Sequence, residues 1–161
     1  MNKITGTIIT LNAEKYILRA IESLNNISDE IIVLDSKSTD STIDIAKSAG
    51  AKVYTQEFLG DGLQKKEAAN FASNSWIFSL DADEYLDQDL IDFIKKTDLS
   101  NISYDSFAFR RKNYCADEWI KAAGFYPDYV TRLYDKSRVN YDSRADHAAV
   151  VSKNTLKTNC H

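Results

Sequence analysis

The stretch that decides the fold is residues 76–84, which read WIFSLDADE. Its first five residues are almost all apolar, as is typical of a strand that is buried on both faces of a parallel sheet. A second run, residues 30–35, reads EIIVLD and also ends on an aspartate. Ligands of open α/β sheets bind beyond the carboxyl ends of the strands, so these two aspartates predict an acidic site at that edge.

Around these two runs, apolar residues alternate between the period of a strand and the period of a helix. We predict strands at residues 4–11, 30–34, 52–55 and 76–80. Between and after them we predict four helices: residues 13–25, a segment capped by Ser38, Thr39 or Asp40 and ended by Gly50, an alanine-rich segment to about Asn74, and a segment carrying Leu86, Leu90, Phe93 and Ile94. This alternation predicts an α/β fold with an open, mainly parallel sheet flanked by helices.

The pattern changes after about Ser100. Short β-like pieces at residues 106–111, 130–134 and 148–151 alternate there with polar and aromatic segments. We therefore expect residues 101–161 to form mixed strands and loops that pack on residues 1–100, within a single domain spanning residues 1–161.

Composition excludes several classes of protein. The chain has 161 residues, of which 43% are hydrophobic and 27% charged, as in ordinary globular proteins. Its net charge of −4 argues against a general nucleic-acid-binding surface. No apolar run approaches the ~20 residues that a membrane helix needs. The two cysteines, Cys115 and Cys160, lack metal-ligand spacing, and we expect free thiols in a reducing cytoplasm.

Three carboxylates follow the fourth predicted strand within four positions, at Asp81, Asp83 and Glu84. Charges this close repel one another, and a divalent cation such as Mg²⁺ or Mn²⁺ relieves the repulsion. The alternative is an acidic surface turn. The chain contains neither a phosphate loop ending in Gly-Lys-Ser/Thr nor a Gly-x-Gly-x-x-Gly turn after its first strand, so the common nucleotide-binding loops are excluded.

Several motifs in a fixed order carry a family resemblance. They are TLNAE at 10–14, VLDSKSTDST at 33–42, GDGLQK at 60–65, LDADE at 80–84, RRKNY at 110–114, GFYPDY at 124–129 and RLY at 132–134. Together they resemble the family 2 glycosyltransferases with the GT-A (Rossmann-like) fold, and more closely the lipopolysaccharide core glucosyltransferase branch. The resemblance covers about the first 150 residues. It implies a metal-dependent, inverting transfer of a hexose from a UDP-sugar to a saccharide or lipid-linked saccharide acceptor.

The resemblance also implies a donor site. Asp35 is expected to accept a hydrogen bond from the uracil base, with Thr10 and Asn12 lining the nucleoside pocket. Glu14 matches the acidic residue just beyond them. Lys65 matches a basic position that faces the donor, although it also fits a solvated charge in a polar run.

Asp81 and Asp83 match the Asp-x-Asp motif of the family. Asp83 is expected to ligate Mn²⁺ or Mg²⁺, and Asp81 to contact the ribose or a metal-bound water and to share in the metal site. His147 matches a weaker position at which the family has His followed by Glu, but here Ala148 follows. When bound, the cation neutralises the diphosphate as it leaves.

An inverting transferase needs a base that takes the proton from the acceptor hydroxyl. Asp128, in a loop rich in glycine and aromatic residues, is our candidate, and Asp117 and Glu118 are its rivals. Trp119 is expected either in the acceptor wall beside this loop or in the core.

Two residues depart from the family pattern. Lys37 stands where the family has Gly, and Lys66 where it usually has Asn. Both are expected to add positive charge near the diphosphate.

Two other functions remain open from the sequence. A nucleotidyltransferase has a similar fold and also binds metal, although it normally carries a glycine-rich basic loop after the first strand. A non-catalytic sugar-nucleotide-binding module would lack an effective base. We expect a cytoplasmic location at or near the inner face of the membrane, with peripheral membrane contact. Because the family usually continues for some tens of residues, we also expect a truncated chain or a minimal core without the C-terminal helices.

Overall fold

The computed structural model describes residues 3–115, 118–121, 126–142 and 148–161. Seven strands form one sheet, and two short strands form a separate hairpin. The strands are β1 (Ile4–Thr10), β2 (Glu30–Asp35), β3 (Lys52–Thr55), β4 (Trp76–Asp81), β5 (Ser106–Arg111), β6 (Tyr114–Cys115), β7 (Glu118–Trp119), β8 (Asp128–Asp135) and β9 (Thr155–Lys157). The helices are α1 (Ile17–Leu24), α2 (Thr42–Ser48), α3 (Asp61–Asn70) and α4 (Gln88–Lys96), with a 3₁₀ turn at Leu99–Asn101.

The sheet has the order β3-β2-β1-β4-β8-β5-β9. Its first four strands are parallel, so the predicted α/β class with a mainly parallel sheet is confirmed. The chain adds β2 and β3 on one side of β1 and then places β4 on the other side. This change of direction makes a crevice between the carboxyl ends of β1 and β4, where open α/β sheets bind ligands.

The remaining strands extend the same sheet beyond β4. β8 runs antiparallel to both β4 and β5, and β9 runs parallel to β5 at the far edge. The prediction of a strand at residues 148–151 was wrong, because Val150 forms only an isolated bridge with Tyr141. The strand lies a few residues later, at β9.

Helix α1 packs closely on the sheet because Gly6 in β1 leaves room for it. A Cβ atom at Gly6 would approach Leu24 Cδ1 to 3.0 Å and Ser28 Oγ to 3.1 Å. The helix begins at Ile17, later than predicted, since the residues before it form a turn in which Tyr16 N donates to Ala13 O. Across the part of the chain described, no helix combines the length and apolar content needed to cross a bilayer.

Candidate functional site

The register of the parallel strands brings the predicted donor residues to one edge. Thr10 at the end of β1 lies opposite Asp35 at the end of β2. On the other side of β1, Ile9 lies opposite Asp81 at the end of β4. Three adjacent strands therefore present Thr10, Asp35 and Asp81 at the carboxyl edge of the sheet.

Asp35 is fully buried, and its carboxylate is satisfied locally. One oxygen accepts a hydrogen bond from Ser38 N at 2.8 Å, and the other accepts from Ser38 Oγ. Each carboxylate oxygen has a second lone pair, so Asp35 keeps the capacity to accept a further hydrogen bond. The hydroxyl of Thr10 beside it is buried and has no hydrogen-bond partner among the described residues.

Asn12 and Glu14 join two loops at the rim of the crevice. Asn12 Oδ1 accepts from Thr39 N at 2.8 Å, and Asn12 N donates to Ser38 Oγ at 2.8 Å. Glu14 Oε2 accepts from Ser41 N at 3.1 Å. Both residues therefore hold the loop after β1 against the loop after β2. They shape the predicted nucleoside pocket through the backbone as well as through their side chains.

Asp81 lies between two cations that are almost fully buried. Lys65 Nζ is 3.0 Å from Asp81 Oδ1, and Arg132 Nη2 is 3.1 Å from Asp81 Oδ2. Burial alone would raise the pKa of Asp81, but the charges of Arg132 and Lys65 bring it down to about 2. Asp81 is therefore an ionised carboxylate that the protein itself neutralises.

Lys65 reaches the crevice as an internal partner of two carboxylates. Its ammonium also lies 3.0 Å from Asp61 Oδ1, one helical turn earlier in α3. Burial lowers the pKa of Lys65, but the charge and hydrogen bond of Asp81 and the nearby Tyr141 together outweigh burial and leave the pKa above its ordinary value. The ammonium thus contacts the Asp-x-Asp motif rather than standing free as a solvated charge.

Sequence reasoning placed Arg132 only within a motif and gave it no role. The structure makes it the bridge between Asp81 and Glu84, both of which it contacts. Those two carboxylates raise the pKa of the guanidinium, against the lowering effect of burial. A signal was present in the sequence, since a single Arg stands in the middle of the apolar segment that forms β8.

Asp83 differs from its neighbours in having no internal partner. It is exposed, and it makes no hydrogen bond or ion pair with any residue in the described part of the chain. Glu84, by contrast, is bound by Arg132 and lies 3.6 Å from Arg111 Nη1. A divalent cation prefers carboxylate oxygens, and Asp83 is the carboxylate of the motif that is free to supply them. The residues therefore fit a metal held by Asp83, with Asp81 in a supporting position.

A second group of possible metal ligands lies near the same side of the sheet. Asp87, Asp89 and His161 each offer one ligand atom, and these atoms lie within 4.8 Å of one another. Asp87 is already bound by Lys112, and His161 Nδ1 is 3.1 Å from Asp89 Oδ2. Sequence reasoning missed this group because 72 positions separate Asp89 from His161. The predicted ligand His147 lies outside the described residues.

A cavity of about 410 Å³ opens between the Asp-x-Asp segment and β5. Its polar lining includes Asp81, Asp83, Glu84, Asp87, Arg110, Arg111, Lys112, Asn113, Arg132 and His161. Four carboxylates and four basic side chains thus face one space next to the donor edge. A cavity of this size and polarity suits a polar ligand such as a saccharide.

Asp128, the predicted base, lies beside this cavity in a cross-strand pair with Arg111. Its Oδ2 is 2.8 Å from Arg111 Nη2 and accepts from Arg111 Nε at 2.9 Å. Asn113 Nδ2 donates to the same oxygen at 3.3 Å. The other oxygen, Oδ1, has no hydrogen-bond partner among the described residues. The rival base Glu118 is exposed in β7, and the rival Asp117 lies outside the described residues.

Trp119 packs at the edge of this region. Its ring makes an edge-to-face contact with Tyr126 at 5.0 Å between centroids, and Lys121 Nζ lies 4.2 Å from the ring centroid. It does not belong to the lining of the cavity. Trp119 therefore packs on Tyr126, and its place in the acceptor wall stays a prediction.

The structure explains one of the two departures from the family pattern. Lys37 has a positive φ of 67°, the conformation that glycine adopts most readily. Its ammonium pairs with Glu57. Lys66 is exposed on α3.

The family follows from a comparison with known proteins. The model of glycosyl transferase family 2 matches residues 7–157, which is nearly the whole chain. The chain belongs to glycosyl transferase family 2. It is 48% identical over 156 residues to an uncharacterized glycosyltransferase of Rickettsia felis, covering 94% of this chain and 55% of that protein. It is 29% identical over 164 residues to the lipopolysaccharide core biosynthesis glycosyltransferase LpsC of Rhizobium meliloti, covering 95% and 58%.

Two solved structures show the same fold. S. aureus TarS (residues 1–349) in complex with UDP-GlcNAc matches with a TM-score of 0.70 and 16% identity, covering 98% of this chain and 56% of that one. Glucosyl-3-phosphoglycerate synthase of Mycobacterium tuberculosis with Mn²⁺ and UDP matches with a TM-score of 0.53 and 23% identity, covering 66% and 43%. The predicted GT-A fold and family are thereby confirmed. The chain spans about half the length of the curated relatives it matches.

Proposed function

We propose that this glycosyl transferase family 2 protein is a metal-dependent, inverting hexosyltransferase that uses a UDP-sugar. The observation that carries the proposal is the contrast within the Asp-x-Asp motif. Asp81 is neutralised by Lys65 and Arg132, whereas Asp83 is exposed and has no partner among the described residues. This is the arrangement expected if one carboxylate is structural and the other binds a ligand.

The donor site in this proposal is the crevice at the carboxyl ends of β1, β2 and β4. Asp35 would accept a hydrogen bond from the uracil N–H with its remaining lone pair. The unpartnered hydroxyl of Thr10 would be satisfied by the nucleoside, which gives that buried group the partner it lacks. Asn12 and Glu14 would hold the two loops at the distance that the nucleoside requires.

The metal site in this proposal is built on Asp83. Asp83 would hold Mn²⁺ or Mg²⁺, and Asp81 would stay ionised beside it and contact the ribose or a metal-bound water. When bound, the cation neutralises the negative charge that develops on the departing diphosphate. Lys65 and Arg132 keep Asp81 in place, so that the motif does not depend on the cation for its geometry. His147 remains a weaker candidate ligand.

The acceptor site in this proposal is the adjoining cavity, and Asp128 is its base. The free Oδ1 of Asp128 would take the proton from the acceptor hydroxyl, while Arg111 holds Oδ2 and fixes the orientation of the carboxylate. Arg111 Nε and Nη2 both contact this one oxygen, which leaves Oδ1 for the acceptor hydroxyl.

The cellular role in this proposal is the synthesis of lipopolysaccharide or another surface glycan. The relative LpsC is named for lipopolysaccharide core biosynthesis, and the complexes of TarS and glucosyl-3-phosphoglycerate synthase support a uridine nucleotide as donor. A saccharide or lipid-linked saccharide acceptor would bring the protein to the cytoplasmic face of a membrane, where peripheral contact suffices.

Calorimetric titration with UDP, with and without Mn²⁺, tests the proposal. We expect Mn²⁺ to strengthen UDP binding at least tenfold in the unchanged protein and to have little effect in Asp83→Asn. Asp92→Asn, which removes an exposed carboxylate of α4, is the matched control and should behave like the unchanged protein. Equal UDP affinity with and without Mn²⁺ in all three proteins would overturn the metal assignment.

A screen of UDP-sugars for UDP release separates the enzyme from its alternatives. Release from one donor supports the transferase and identifies the sugar. Metal-dependent UDP binding without release from any donor, across many acceptors, would favour a binding module. Release of pyrophosphate from UTP with a sugar 1-phosphate would favour a nucleotidyltransferase.

A further inference from the structure

Arg110 is a basic side chain of the cavity that lacks a carboxylate partner. It lies near the end of β5 and lines the cavity beside Arg111 and Lys112. Its Nε is buried and has no hydrogen-bond partner, and its Nη1 donates to the neutral hydroxyl of Tyr126 at 2.8 Å. No carboxylate of the described residues forms an ion pair with it. A buried guanidinium N–H without an acceptor is unfavourable, and a ligand that supplies the acceptor removes that cost.

The other basic side chains of the cavity are all compensated. Arg132 pairs with Asp81 and Glu84, Arg111 pairs with Asp128, and Lys112 pairs with Asp87. Arg110 is thus the exception among four neighbouring cations within the described chain. Arg110 is the unpaired cation of the cavity, as Asp83 is its unpaired carboxylate, and the charge of Arg110 is available to a ligand.

A hydrogen-bonded chain holds Arg110 in this position. Because Tyr126 Oη accepts from Arg110, it can direct its own proton to His161 Nε2, which lies 3.1 Å away. In that tautomer, His161 Nδ1 carries the ring N–H proton and donates it to Asp89 Oδ2 at 3.1 Å. Tyr126, His161 and Asp89 are thus hydrogen-bonded in series, which fixes the hydroxyl of Tyr126 on Arg110 Nη1. Arg110 Nε is left without a hydrogen-bond partner among the described residues.

We propose that Arg110 is an anion subsite of the cavity, which binds a phosphate or carboxylate group carried by the acceptor saccharide. The assignment of the anion to an acceptor rests on the proposed function, but the subsite itself rests on Arg110 and Tyr126. A guanidinium recognises both anions in the same way, through paired N–H groups.

The position of β5 favours the acceptor over the donor as the source of the anion. In the sheet, β8 lies between β4 and β5, so β5 is two strands away from the Asp-x-Asp strand. Two inter-strand spacings correspond to about 10 Å. The residues proposed to bind uridine lie at the ends of β1 and β2, which are farther away, on the opposite side of β4.

Nuclear magnetic resonance of the arginine side chains tests the subsite directly. The protein is labelled with ¹⁵N, and the Nε–H signals are followed while glucose 6-phosphate, glucuronate or neutral glucose is added. We expect the Arg110 signal, assigned by its loss in Arg110→Gln, to shift saturably with the two anions and not with glucose. The Arg138 signal is the internal control, since this side chain pairs with Asp105 and Asp135 and does not line the cavity, and it should shift less than a tenth as much.

A positioning variant and a donor titration complete the test. Tyr126→Phe removes only the hydroxyl and should weaken anion binding several-fold while leaving the fold intact. Adding UDP with Mn²⁺ should not move the Arg110 signal, and UDP affinity should change less than twofold in Arg110→Gln. If the signal moves with UDP instead of the sugar anions, the anion belongs to the donor and the acceptor assignment is wrong.

The outcomes separate this inference from the proposed function. Metal-dependent UDP binding with an Arg110 signal that no anion moves would overturn the subsite and leave the transferase proposal in place. An Arg110 signal that responds to sugar anions in a protein that does not bind UDP would support the subsite and count against the transferase.

Discussion

The parallel and antiparallel halves of the sheet treat charge differently. In the parallel half, the carboxylates at the strand ends are satisfied within the protein, as Asp35 is by Ser38 and Asp81 by Lys65 and Arg132. In the cavity between this edge and the antiparallel strands most charges are also paired, but a carboxylate, Asp83, and a guanidinium, Arg110, have no ionic partner among the described residues. The protein satisfies the first set of charges by itself, and in our proposals the second set is satisfied by ligands.

This difference separates charged residues that are paired within the protein from those whose charge is accessible to a ligand. A carboxylate with two buried cationic partners resists both protonation and displacement, so it supports its neighbours. A buried polar group with no partner, such as Arg110 Nε, has an unfavourable free energy that a ligand can relieve, whereas the exposed carboxylate of Asp83 is solvated and accessible. Residue type and spacing treat Asp81 and Asp83 as equivalent, but their surroundings separate them.

The largest effect is expected at the proposed base, where the two halves meet. Asp128→Asn should lower the rate of sugar transfer by about 10²–10⁴-fold, the usual contribution of a general base. UDP affinity with Mn²⁺ should stay within twofold, because Asp128 lies on the cavity side. Both quantities are measured by UDP release and by calorimetry.

Arg111→Gln is the matched control for this variant. It breaks the same ion pair but keeps the carboxylate, so it should retain at least ten times the activity of Asp128→Asn. Equal losses in the two variants would mean that the pair is structural and that the base lies elsewhere.

The two aspartates of the motif should separate stability from activity. Asp81→Asn leaves Lys65 and Arg132 partly uncompensated and should lower the free energy of unfolding by about 2–3 kcal/mol. Asp83→Asn should change the free energy of unfolding by less than about 0.5 kcal/mol, because it removes only the charge of an exposed side chain that has no partner among the described residues. Urea titrations followed by circular dichroism measure both. Equal destabilisation would contradict the assignment of Asp81 as the supported carboxylate.

Acid should remove the contribution of Asp81 in a defined range of pH. Its pKa in the folded protein is about 2, below the ordinary value of 3.8, so its charge stabilises the fold above about pH 4. That stabilisation, about 2 kcal/mol by linkage, is lost as the pH falls toward 2. The difference in unfolding free energy between the unchanged protein and Asp81→Asn should therefore shrink between pH 4 and pH 2. A difference that stays constant over this range would show that Asp81 is not held ionised by its neighbours.

The sequence predicted the parallel half well because burial there produces clear patterns. β3 matched residues 52–55, and Gly50 ends α2 with a φ of 88°, as expected of a residue at the end of a helix. The start of α1 was predicted too early. Ala13 N is held by Thr42 Oγ1 at 2.8 Å, a contact between distant loops that no local pattern records.

The antiparallel half was harder to predict because its elements are short and its contacts span long sequence distances. β9 has three residues, and β6 and β7 have two each, too few for a period to appear. In the candidate site, the residue types of the Asp-x-Asp motif were evident. The partners were not, since Arg132 and Asp81 meet 51 positions apart.

The smallest expected effect is at Lys37, on the rim of the parallel half. A non-glycine residue at φ 67° carries a steric cost of about 1 kcal/mol, which glycine does not pay. Lys37→Gly removes that steric cost, but it also loses the exposed ion pair with Glu57 and raises the conformational entropy of the unfolded chain. These two effects offset part of the stabilisation. We expect a net rise in the free energy of unfolding of about 0.5 kcal/mol. Lys37→Ala loses the same pair but keeps a Cβ, so it should show no rise, and a rise in both variants would attribute the effect to charge.

Lys66→Gly, on the exposed face of α3, should instead lower stability by about 1 kcal/mol, because glycine is unfavourable within a helix. Opposite signs at the two lysines would show that the backbone at position 37, rather than its charge near the diphosphate, accounts for the glycine found there in the family.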